Sequence, residues 1–148
     1  MGEFLEATYD KFVFKVKDGC LYNRDDFWVA AKGSVATVGI TDYLQKIKGD
    51  VAFLETVEPG AEVKQGQEIG KVETIKATFG IISPVTGKVA EVNTELEASP
   101  HLINQDPYGE GWIYRIELTD FEGDKGDLLN SGDYLDLMKE NIAKEMKK

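Results

Sequence analysis

The amino-acid sequence predicts a mainly β fold in which two sheets bury a shared apolar face, with a short helix near 42–48 and a second helix at the carboxyl end. Three observations carry that prediction. Short runs with strand character, separated by turns rich in glycine and proline, fill the chain almost continuously up to residue 120. A strand–turn–strand plan occurs twice, first in "GDVAFLETVEPGAEVKQGQEIGKVET" and again from Gly87 in "GKVAEVNTELEASPHLINQDPYGEGWIYRIEL", as expected of two related halves packed on one another. Apolar residues at helical spacing occur near Tyr43 and after Ser131.

Taken in order, Phe12 to Val16 read as a strand and Asp18-Gly19 as a turn. In "GSVATVGI", Gly33 to Ile40, Val35, Thr37 and Gly39 alternate with Ala36, Val38 and Ile40, the period of two of a strand with a buried face. Thr41 is placed to cap a helix whose Tyr43, Leu44 and Ile47 share a face and which Gly49 ends. The first repeat unit turns at Pro59-Gly60 and Gln65-Gly66. Val72 to Ile75 then end one strand and Gly80 to Ser83 begin the next, so a hairpin turn lies between them. The second unit closes on a strand from Trp112 to Leu118, and Trp112 is expected in the core. Gly109 and Gly111 in "YGEGW" lack the strand-to-helix setting of a phosphate loop and are read as a tight turn. In "NSGDYLDLMKENIAKEMKK" Ser131 is placed to cap, Asp133 falls in the first turn, and Leu135, Met138, Ile142 and Met146 form a stripe expected to lie on the sheets. The chain is read as a single domain over 1–148, with an extension at 1–21, a β core at 22–120 and the final helix at 131–147.

Composition narrows the function. A formal net charge of −10 and a pI near 4.6 disfavour contact with nucleic acid or an anionic membrane, because both are already negative. No apolar run has membrane-spanning length, and "MGEFLEATYD" carries acids where a secretory signal has bases, so a cytoplasmic location is expected. Cys20 is the sole cysteine and His101 the sole histidine, which leaves no ligand set for zinc or a redox metal and no catalytic constellation. His101 sits in a polar loop and reads as a surface residue, while the scattered carboxylates read as a solvated face that could steer basic partners.

One residue stands apart. Lys76, between the two repeat units, is presented to solvent at a hairpin tip, where the fold gains nothing from it. Its neighbourhood, Glu73, Thr74, Ile75, Lys76 and Ala77, resembles the Glu-Ser-Val-Lys-Ala segment of the H proteins of the glycine cleavage system. The "SPVTG" turn and "DPYGEGW", Asp106 to Trp112, follow in order and at family-like spacing, and the resemblance runs from about Tyr22 to the final helix.

The resemblance implies a two-sheet barrel-sandwich hybrid of the lipoyl/biotinyl carrier type. It implies lipoate attached covalently to Lys76, with Glu73 and Ala77 as recognition context for the attaching enzyme. The methionines expected around a biotinyl lysine are absent, since Ile75 and Ala77 flank it. The implied partners are the lipoate-attaching enzyme, glycine decarboxylase, aminomethyltransferase and dihydrolipoyl dehydrogenase, among which an aminomethyl group would be shuttled by a carrier that is not itself an enzyme. An acylated lysine gives a long flexible tether that replaces diffusion of a free cofactor by a high local concentration.

The sequence also departs from the pattern. The usual Tyr-Thr-x-Glu-His-Glu-Trp opening is represented by Tyr22, Asn23, Arg24, Asp25, Asp26, Phe27 and Trp28. The usual Ala-Ser-Asp-Leu after the lysine reads Thr78, Phe79, Gly80 and Ile81, which removes a carboxylate from beside the arm. Two alternatives follow: an H-like lipoate-binding protein serving sulfur oxidation with a heterodisulfide-reductase-like complex, and an unmodified β-sandwich scaffold.

Overall fold

The computed structural model describes residues 3–146. Its strands in chain order are β1 (Phe4–Tyr9), β2 (Phe12–Lys17), β3 (Leu21–Tyr22), β4 (Phe27–Lys32), β5 (Val35–Ile40), β6 (Val51–Thr56), β7 (Glu62–Val63), β8 (Glu68–Thr74), β9 (Thr78–Ile82), β10 (Gly87–Val92) and β11 (Tyr114–Leu118). The helices are α1 (Asp42–Lys48), α2 (Glu95–Ala98), α3 (Leu102–Gln105), α4 (Phe121–Asp124) and α5 (Ser131–Met146). A six-stranded sheet in the order β3-β4-β5-β11-β10-β7 faces a three-stranded sheet in the order β6-β8-β9, and β1 and β2 form a separate hairpin. The mainly β, two-sheet architecture predicted from sequence is the one observed.

Each repeat unit supplies paired strands to its own sheet, β6 with β8 and β10 with β11. Between the sheets Val38, Val72, Ile81, Val89 and Ile116 are all but inaccessible. The alternation of β4 serves two cores at once. Phe27 and Val29 point into the inter-sheet core, while Trp28 joins a second cluster with Tyr22, Tyr43, Tyr134 and Met138. That second cluster is roofed by α5 and walled by the amino-terminal hairpin, whose Phe14 and Val16 are buried. Tyr22 stacks on Tyr134 with centroids 4.4 Å apart.

Three local expectations are revised. A strand, β1, precedes the expected one and pairs with it along its whole length. Trp112 lies before β11 rather than in it, only half-buried, with its amide donating to the Gly109 carbonyl and its ring 4.1 Å from the Arg115 guanidinium. The turn holds it there, and Tyr114 is the buried aromatic of that strand. The cap of α5 is Asn130, whose Oδ1 accepts from the Asp133 amide at 2.8 Å, while the Ser131 hydroxyl donates to Asp18. The stripe of α5 lies on the sheets as expected, with Tyr134 added to it, against the β1–β2 hairpin and the β3 end of the six-stranded sheet. The Met146 side chain and Lys147 lie outside the described residues.

The helix α1 follows its sequence signals. Thr41 Oγ1 accepts from the Leu44 amide, and Gly49, at φ 90°, ends the helix with its amide donating to the Gln45 carbonyl. The "YGEGW" glycines serve a turn, with the amides of Gly109 and Gly111 both donating to the Asp106 carbonyl.

Candidate functional site

β8 and β9 pair antiparallel and are joined by Ile75, Lys76 and Ala77. The loop is latched by Thr74. Its amide donates to the Ala77 carbonyl at 2.8 Å, and its Oγ1 accepts from the amides of Lys76 and Ala77 at 3.2 and 3.0 Å. The same hydroxyl donates to the Lys48 carbonyl at 2.6 Å, and the Ile75 amide donates to the Asp50 carbonyl at 3.1 Å. A hydroxyl bonded to its own loop and to the end of α1 fixes the hairpin tip from both sides.

Lys76 is exposed, and Ile75 beside it is 76% exposed, an unusual state for an isoleucine. The lysine stem runs across Gly49, where an added Cβ would meet Lys76 Cγ at 3.2 Å and Cδ at 3.4 Å. Gly49 is thus both the helix terminator, in a backbone region that disfavours side chains, and the floor under the stem. Sequence reasoning assigned it the first role only. Thr74 was visible merely as a motif member, although a hydroxyl two residues before the lysine amide is a recognisable turn signal.

The other predicted residues separate. Glu73 is exposed, opposite Phe53 on β6 and Thr78 on β9. Ala77 is partly buried and contributes mainly its backbone. Phe79 is half-buried, with the Lys48 ammonium 5.8 Å from its ring centroid. Gly80 itself carries no carboxylate, and the Glu68 side chain on β8 lies against it, with its Cδ 2.7 Å from where a Cβ on Gly80 would stand. A longer side chain one strand away fills the space that the smaller residue vacates. His101 is exposed, and no cluster of metal-ligating side chains occurs among the described residues.

The perturbed acid and thiol, Asp26 and Cys20, belong to the segment that precedes β4 and not to the tether hairpin. Burial pushes the Asp26 carboxyl up to about 6, opposed by the hydroxyl of Tyr134 that donates to it at 2.7 Å. Burial likewise raises the Cys20 thiol, so this cysteine is a poor nucleophile. The exposed hairpin carries a primary amine, that of Lys76, at its tip.

Comparison with known proteins decides the family: residues 20–141 match the model of the glycine cleavage H-protein family. The chain belongs to that family. It is 43% identical over 120 residues to the glycine cleavage system H protein of Rubrobacter xylanophilus, covering 81% of this chain and 92% of the relative. The H protein of Thermotoga maritima is 42% identical over 113 residues, covering 76% and 90%. The crystal structure of the Mycobacterium marinum H protein superposes with a TM-score of 0.71 at 34% identity, covering 78% of this chain and 93% of the other. H proteins are carriers rather than catalysts, and the chain is a carrier protein of this kind.

Proposed function

We propose that the chain is the lipoyl carrier of a glycine cleavage system, with lipoate in amide linkage to Nζ of Lys76. The observation that carries the reading is the latched hairpin: one exposed amine at the tip of a turn whose backbone is fixed by Thr74. The residues fit the group. Lys76 supplies the amine, Gly49 leaves room for its stem, and Glu73 and Ala77 flank it as features that the lipoate-attaching enzyme reads. When bound, lipoate supplies a disulfide that can be reduced and can take up a transferred group.

On this reading the carrier moves an aminomethyl group from glycine decarboxylase to aminomethyltransferase, and dihydrolipoyl dehydrogenase restores it for the next round. The protein contributes position: a rigid tip presents the arm alike to each enzyme, and the tether keeps its local concentration high. The acidic surface, at −10 overall, suits basic docking faces on those enzymes. A cytoplasmic setting agrees with a buried, unpaired Cys20, and no helix among the described residues is long and apolar enough to cross a membrane.

Intact mass after treatment with a lipoate ligase, ATP and lipoate tests the attachment, with one lipoyl group expected on Lys76. Absence of added mass would favour an unmodified scaffold. Exchange of bicarbonate with glycine, driven by the lipoylated chain and glycine decarboxylase, tests the pathway. Failure there with lipoylation intact would favour a carrier for sulfur chemistry, the reading that Phe79 beside the tether supports.

A further inference from the structure

The solvent face of the three-stranded sheet holds an aromatic ring that regular alternation would bury. Pairing of β6 with β8 sets Val51 opposite Thr74, then Phe53 opposite Glu73 and Leu54 opposite Val72, so Ala52 is an extra residue in the ladder. Without it Phe53 would stand opposite Val72, which is buried between the sheets. The bulge turns the ring outward, and Phe53 is 54% exposed. It lines a shallow hollow of about 230 Å³ with Glu55, Lys71, Glu73 and Thr78. Among the described residues neither Glu55 nor Glu73 enters an ion pair. From Glu73 the chain runs to Ile75, 76% exposed, and then to Lys76. An apolar and acidic surface thus leads along one sheet to the tip.

We propose, on the reading that Lys76 is lipoylated, that this face is the docking surface for the enzyme that attaches lipoate, with Phe53 as its anchor. Reach selects this partner over the enzymes that later use the arm. A bare lysine extends only by its own side chain, so an enzyme acting on Nζ must cover the residues around the tip. The acylated arm is longer and lets other enzymes dock further off. Phe53 pairs with Glu73, three residues before the lysine, so about 10 Å of extended chain separates the ring from the tether. The face also defines what the partner presents. A phenyl ring leaving water calls for an apolar pocket, and carboxylates beside it call for basic side chains on the rim. Lys71 stands opposite Glu55, on the side away from the tip. Glu73, nearer the tether, has Phe53 and Thr78 as its cross-strand neighbours and no cation opposite it. A central aromatic among weaker polar contacts is the arrangement in which one side chain dominates docking energy.

The test follows lipoylation of the full chain by a lipoate ligase with ATP and lipoate, read by intact mass over a range of carrier concentrations. Phe53→Ala should lower kcat/KM about ten- to thirtyfold through KM, with the rate at saturation kept. Phe53→Tyr should retain most of the activity. Phe4→Ala, which removes a ring 45% exposed on the separate amino-terminal hairpin, should leave kcat/KM unchanged. A urea midpoint establishes that Phe53→Ala keeps its fold. The unaltered chain supplies a readout that needs no variant: on adding ligase, the ring proton resonances of Phe53 should shift and broaden while those of Phe4 stay in place. Unchanged kcat/KM in folded Phe53→Ala, an equal loss in Phe4→Ala, or Phe53 resonances indifferent to the ligase would overturn the docking surface with lipoylation still standing. No lipoyl mass on the unaltered chain would overturn the lipoylation reading itself, and the docking surface with it.

Discussion

Two hairpins meet near Lys76, and they are held in opposite ways. The β8–β9 hairpin is fixed at its tip by hydrogen bonds through Thr74, and the side chains at that tip, Ile75 and Lys76, touch little. The β1–β2 hairpin turns through Asp10 at φ 55° and is fixed along its length by packing, with Ala7, Phe14 and Val16 pressed against α5 and the aromatic cluster. The difference separates two tasks. A loop held by its own backbone can change what hangs from it at little cost in stability, whereas a hairpin held by side chains loses stability with each one removed.

The sharpest break in that comparison is Lys76→Arg. Arginine keeps the charge but cannot accept the lipoyl amide, so lipoylation should fall to nothing while the unfolding free energy stays within about 0.5 kcal/mol. Mass spectrometry and a denaturant titration read the two halves of that statement. Residual lipoylation would place the attachment elsewhere. In the other hairpin, Phe14→Ala should cost about 3–5 kcal/mol, because a ring that is 1% exposed leaves a cavity under Lys46 and Tyr43. A cost under about 1 kcal/mol would mean that the hairpin merely rests on the domain.

The packed side of the comparison should also respond to pH through Asp26, which bonds the α5 residue Tyr134. Its folded value of about 6 lies above the ordinary 3.8, so the folded state binds the proton more tightly than the unfolded chain. This group therefore favours folding most at low pH and progressively less as pH rises from about 4 to about 6. A shift of that size corresponds to at most about 3 kcal/mol. Asp26→Asn cannot ionise, so its stability relative to the unaltered protein should rise by up to that amount between about pH 4 and pH 7. A pH-independent difference would mean that the Asp26 carboxyl binds its proton equally in the folded and unfolded chain.

How much of this was legible follows the same division. Alternation exposed β5, a capping threonine and a terminal glycine exposed α1, and Lys76 at the hairpin tip could be read from turn position and motif. These are signals local to a few residues. Trp112 misled because an aromatic before a strand looks like core, and only the turn from Asp106 shows why its ring stays near the surface under Arg115. Glu68 beside Gly80 was invisible because the register of β8 and β9 shifts between Glu68 and Lys71, which sequence spacing does not reveal. β1 lacks clean alternation, since Phe4 and Tyr9 are both exposed while Ala7 is its buried residue. Phe53 faces outward through the extra residue Ala52 in β6, which counting alternation along the sequence does not reveal.

The smallest expected effect tests the latch itself. Thr74→Val keeps the shape and the β-branched backbone preference of the residue while deleting the hydroxyl that serves Lys48, Lys76 and Ala77. The Lys48 carbonyl and the two amides lie near the surface, where water can partly replace the lost partner, so the cost should be about 1–2 kcal/mol. The informative quantity is the rate of lipoylation. If a fixed backbone is what presents the amine, Thr74→Val should slow attachment several-fold at limiting ligase, and Thr74→Ser, which restores the hydroxyl, should recover it. Equal rates in all three proteins, with the stability loss present in the valine variant alone, would show that Thr74 supports the fold and that the attaching enzyme shapes the loop for itself.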